Sequence, residues 1–217
     1  MRAAIWVGVF ALITAEAGSS RAVSVEEIVR RVQARFDATA DFTADVHQEL
    51  LVASTGRTLS ARGTVAFKRP GKMRWTLENH EKQVIVADGV TLWLYQPDEQ
   101  QVLKSPFESA FRSSAPISFL TGVGRIGDDF QASLDGTDDG AVQLLLVPRR
   151  DEQELGRLRL SVETKEYGIV GAEIRDPMGN VTKLRFSNIR RNVGLADSLF
   201  HFDVPPGVDV IEAPIGY

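Results

Sequence analysis

The chain contains no cysteine, and that absence removes three possibilities at once. It can hold no disulfide, it offers no thiol nucleophile, and it lacks the residue on which a bacterial lipoprotein carries its acyl chains. An exported product is therefore expected to be soluble and unlipidated, and 217 residues, 43 % of them hydrophobic, suffice for a core without staples. Basic charge is also short. The formal net charge is -4 and the pI about 5.5, so no field exists to hold nucleic acid. The three histidines, His47, His80 and His201, share no ligand spacing, and no GxSxG elbow or glycine-rich phosphate loop is present. Glu26-Glu27 sits in a helix first turn and Asp128-Asp129 at a turn, and both read as solvated structural pairs. Asp135 to Gly140 is acidic but lacks the glutamate that closes an EF-hand loop. Nothing in these residues points to catalysis, a metal or a cofactor.

A membrane-spanning run is missing as well. The apolar stretch Ala3 to Thr14 is about a dozen residues long, short of the roughly 20 needed to cross a bilayer. With Arg2 before it and small residues after it, residues 1–22 are expected to be a secretory signal, cleaved after Ala22 or after Ala17. Residues 23–217 then form a single domain.

What is there is periodic. Ser24 to Phe36 repeats Val25, Ile28, Val29, Val32 and Phe36 near a 3.6-residue period, and Ser24 with Glu27 forms a capping box, so an amphipathic helix is expected. After it the period falls to 2. Strands are predicted at Phe42–Val52, Leu59–Phe67, Met73–Leu77, Gln83–Ala87, Thr91–Tyr95 and Gln101–Lys104. They resume at Phe130–Leu134, Val142–Pro148, Leu155–Thr164, Gly168–Arg175 and Val181–Asn188, with one more short strand in Phe200–Val208. Links this short demand antiparallel neighbours. Between the two strand groups, Phe111, Ile117, Phe119 and Leu120 suggest short apolar helices, either a lid or a buried plug.

The stretch VIVADGVTLWLY offers apolar groups to both faces of its hairpin, where a sheet with one wet face would alternate. Each face must therefore be covered. In FKRPGKMRWTL the apolar alternation is interrupted by Lys-Arg-Pro-Gly, a turn that puts cations at the rim of an apolar sheet.

GTVAFKRPGKMRW (Gly63 to Trp75), VIVADGVTLWLYQPDEQQV (Val84 to Val102) and FHFDVPPGV (Phe200 to Val208), with the leading helix and Gln48 in matching order, resemble the periplasmic outer-membrane lipoprotein carriers, the LolA-like proteins. The resemblance implies a mainly β fold with helices (α+β). Its incomplete antiparallel barrel, a highly curved sheet, would be covered by the N-terminal helix and a central helical lid around an apolar cavity. It implies a periplasmic, monomeric chaperone that takes acylated lipoproteins from an inner-membrane ABC transporter and passes them to an outer-membrane receptor. By the same resemblance Arg69 would latch the closed state by reaching backbone carbonyls of the covering helices. Without it, Arg69 reads as an exposed turn residue. Phe67, Met73, Trp75, Leu77, Val84, Val86, Leu92 and Leu94 are the candidates for the acyl-chain lining, and each could equally be plain core. A periplasmic binder or sensor of another lipid on the same fold is the alternative reading. A lipid-ester hydrolase has only the apolar surface in its favour.

Overall fold

The computed structural model describes residues 23–78, 82–108, 125–149 and 157–212. The expected signal, the four lid candidates Phe111, Ile117, Phe119 and Leu120, and His80 lie outside them.

Helix α1 spans Val25–Asp37, with Ser24 as its N-cap. Ser24 Oγ accepts the Glu27 N–H at 3.3 Å, one half of the expected box. The Glu27 carboxylate turns instead to Arg30 and Arg31, at 2.6 and 2.5 Å. Two guanidiniums one turn on are stronger partners for it than a lone backbone donor. Ile28 and Val32 are the buried residues of the helix.

Twelve strands form one sheet among the described residues. They are β1 (Asp41–Val52), β2 (Arg57–Lys68), β3 (Lys72–Leu77), β4 (Gln83–Asp88), β5 (Thr91–Gln96) and β6 (Gln101–Pro106), then β7 (Phe130–Asp138), β8 (Ala141–Pro148), β9 (Arg157–Glu163), β10 (Ile169–Arg175), β11 (Val181–Arg191) and β12 (Asp209–Glu212). A one-turn helix, α2 (Ile126–Asp129), leads into β7. The spatial order is β12-β6-β5-β4-β3-β2-β1-β11-β10-β9-β8-β7. Two meanders are thus zipped together where β1 pairs with β11, and the curved sheet stays open rather than closing into a barrel.

One expected strand is displaced. Phe200–Val208 is not a strand: a 3-10 turn covers Asp197–Phe200 and β12 begins only at Asp209, parallel to β6. Pro205 and Pro206 have no N–H to donate, so pairing waits until Asp209 N–H reaches Gln100 O at 3.0 Å.

The core lies on the inner face of the curve. Val65, Met73, Leu144, Leu146, Leu158 and Leu160 are at most 2 % exposed and join Ile28 and Val32 of α1 in one cluster. Full burial stabilises each such side chain by about 1.5–3 kcal/mol. The sheet's curvature leaves no room beside Gly63, where a Cβ would stand 1.8 Å from the carbonyl oxygen of Thr76.

Candidate functional site

The interruption Lys68-Arg69-Pro70-Gly71 is the β2–β3 turn, with a cis Arg69–Pro70 peptide. Its cations divide. Arg69 turns inward toward the end of α1: its Nη2 donates to the Phe36 carbonyl at 2.9 Å, its guanidinium carbon stands 4.2 Å from the Phe36 ring centroid, and Asp37 Oδ1 is 3.9 Å away. A cation suits a helix C-terminus, where carbonyls lack partners and the dipole is negative. The charged hydrogen bond is worth about 1.5–3 kcal/mol and the ring contact about 0.5–1 kcal/mol.

The inner face of the sheet, which shares one core with Ile28 and Val32 of α1, is apolar. Strand register puts Phe67, Met73, Ala87 and Leu92 in one row and Val65, Trp75, Ile85 and Leu94 in the next. Phe67, Met73, Trp75 and Leu77 are buried there, Leu92 and Leu94 half-buried. Aromatic rings run across it: Phe42 stacks on Phe67 at 4.8 Å, and Trp75 meets Phe67 and Phe186 edge-on at 6.5 and 6.3 Å.

Val84 and Val86 are not part of this surface. Their cross-strand partners are Tyr95 and Trp93, on the outer face, so the eight lining candidates do not form one wall. Three apolar residues in succession in β4 hid the alternation that would have separated them.

Among the described residues the inner face is packed with the protein's own side chains. A pocket of about 50 Å³ remains between α1 and β1, β10 and β11, lined by Val32, Phe36, Phe42, Ile169 and Phe186, with Arg35 and Arg191 also on its wall. Burial, and then the neighbouring Arg35, lower the Arg191 pKa. Small-molecule sites measure roughly 300–1,000 Å³, several times the volume of this pocket.

The outer face of β3–β5 has its own cover, which the sequence patterns did not reveal. Residues 192–208 cross it as a strap. Phe202 packs against Trp93 and Tyr95 at 6.1 and 5.9 Å, and Phe200 is 1 % exposed. Lys68 and Lys72 hold Asp197 at 2.6 and 2.9 Å, and Arg74 donates to the Leu199 carbonyl at 3.2 Å. Hydrogen bonds from those lysines lower the Asp197 pKa to about 2. The strap's start is tied by Asp41, 5 % exposed, whose carboxylate accepts the N–H groups of Val193, Gly194 and Leu195 at 2.7, 3.0 and 3.1 Å. A buried aspartate opening a strand was the one available signal, and it reads in sequence as an ordinary turn residue.

The family model described as outer membrane lipoprotein carrier protein LolA matches residues 37–203. The chain belongs to the LolA family. Among curated LolA-type relatives, the outer-membrane lipoprotein carrier protein of Methylobacillus flagellatus is 32 % identical, over 84 % of this chain and 88 % of its own. That of Neisseria meningitidis serogroup C is 32 % identical over 74 % and 76 %. Among solved structures, an uncharacterized conserved protein from Thermus thermophilus superposes with a TM-score of 0.54 at 16 % identity, covering 87 % of this chain and 98 % of that one, a likeness of fold alone. No helix among the described residues is long and apolar enough to cross a membrane.

Proposed function

We propose that this LolA-family protein is a periplasmic lipoprotein carrier that shelters acyl chains on the inner face of its sheet, beneath α1. Its cargo would come from an inner-membrane ABC transporter and leave to an outer-membrane receptor, with no chemical step. The observation that carries the reading is the contact of Arg69 with the Phe36 carbonyl, a weak polar fastening between a helix and an apolar sheet.

The energetics favour such a design. A 16-carbon chain left in water costs on the order of 12 kcal/mol, at roughly 0.8 kcal/mol per CH₂. A rigid open pocket that recovered all of it would hold its cargo permanently. When α1 closes back, its own Ile28, Val32 and Phe36 compete for the same surface, lowering the net affinity and allowing release. Phe67, Met73, Trp75, Leu77, Leu92 and Leu94 would make the contact.

The test replaces the fastening. Arg69→Leu should keep a native far-UV CD spectrum while changing lipoprotein release from inner-membrane vesicles or delivery to outer membranes. Unchanged loading and unchanged delivery would remove the latch from the account.

A further inference from the structure

The link between α1 and β1 is only Ala38-Thr39-Ala40, and any swing of the helix away from the sheet must bend there. This link is held from both sides. Arg69 N–H donates to the Ala40 carbonyl at 2.9 Å. From the other side comes a single side chain 152 residues further along. Asn192 Oδ1 accepts the Ala40 N–H at 2.7 Å while its Nδ2 donates to the Ala38 carbonyl at 3.2 Å. A donor on one side and an acceptor on the other fix the amide's orientation, so both ends are in use.

We infer that Asn192 is a second latch, a positioning residue that grips the hinge of α1 and sets how readily the cover opens. The inference rests on reading α1 as a removable cover. Three features make the grip firm. Asn192 has φ 55°, a left-handed conformation asparagine tolerates better than most residues. Its own N–H donates to the Asp41 carbonyl at 2.8 Å. The three following N–H groups end on the Asp41 carboxylate, so the loop cannot follow the helix outward. Arg69 secures the helix end and Asn192 secures its pivot. Opening has to break both.

The absence of cysteine makes the test clean. Exposed Ala34 on α1 and exposed Ser60 on β2 become cysteines, are spin-labelled, and the distance distribution between them is measured by pulsed EPR in the lipid-free protein. Asn192→Gly keeps the left-handed backbone and deletes both bonds. It should shift the closed-to-open ratio by about tenfold, the equivalent of two modest hydrogen bonds. Asn192→Asp, which keeps the Ala40 bond and sets a carboxylate against the Ala38 carbonyl, should open the protein as well and covers the case in which the glycine variant does not fold. Gly194→Ala strains the same loop at φ 75° without touching the link. It should lower the melting temperature and leave the distance unchanged.

If both Asn192 variants keep the parent distribution while Arg69→Leu broadens it, the second latch is wrong and the reading of α1 as a cover stands. If Arg69→Leu also leaves it unchanged, that reading falls too, and the second latch with it.

Discussion

Two covers lie on this sheet. On the inner face, α1 buries Ile28 and Val32 in the core and is held by side chains: Arg69 at its end, Asn192 at its pivot, and along its length Arg31, Gln33 and Arg35, which reach Tyr167, the Ile126 N–H and Glu166. On the outer face, the strap from Asn192 to Val208 is fastened by Lys68, Lys72, Arg74 and the three-donor cradle of Asp41, and it continues into β12, whose backbone pairs with β6. Both faces are apolar, so both need covering, but the inner cover is held by side chains and the outer one runs on into strand pairing. The outer one has become part of the sheet. On the proposed function, the outer cover buries its surface permanently and the inner one is built to come away.

The comparison can be broken first at the sheet that carries both covers. Gly63→Ala places a methyl group 1.8 Å from a backbone carbonyl, which nothing flexible can relieve. It should cost about 4 kcal/mol or more, seen as loss of the cooperative thermal transition.

Asp41→Ala comes next. Three strap N–H groups lose a charged acceptor, and urea unfolding should report a loss of about 3 kcal/mol. Faster hydrogen exchange in residues 193–212 than in α1 would place the damage on the outer cover.

A smaller effect is expected from Asp197. Its folded pKa lies below the ordinary 3.8, at about 2, so its pairing with Lys68 and Lys72 contributes fully above 3.8 and is lost as pH falls through about 2. Its carboxyl carbon, followed by NMR, should titrate near 2, and Lys68→Met with Lys72→Met should return the midpoint toward 3.8. A midpoint near 3.8 in the parent protein would mean that the lysines do not hold the strap. Arg69→Leu should change stability least, by about 1–2 kcal/mol after solvent screening of a half-exposed site, and function most.

How much of this was legible in the sequence follows the same division. The period of 3.6 over Val25, Ile28, Val29, Val32 and Phe36 located α1, and alternation located eleven of the twelve strands, because burial on one face leaves a local pattern. The double apolar character of VIVADGVTLWLY called for a cover on each face, and on the outer face the strap supplies one. The strap's identity was hidden because Asp41, Asn192 and Asp197 meet their partners across more than a hundred residues, and such pairings leave no periodicity. The register that puts Val84 and Val86 outside depends on pairing with β5, which an unbroken apolar run does not encode. Arg69 was singled out by the family resemblance, and the residues alone make it an exposed turn arginine. Its inward turn depends on where α1 ends.

The most direct measurement is native mass spectrometry of the protein purified from the periplasm of its own host. The account expects a fraction bound to acylated lipoprotein, with that fraction altered in Arg69→Leu. A protein that carries a glycolipid or free fatty acid instead, or that stays empty and releases no lipoprotein from inner-membrane vesicles, would contradict it.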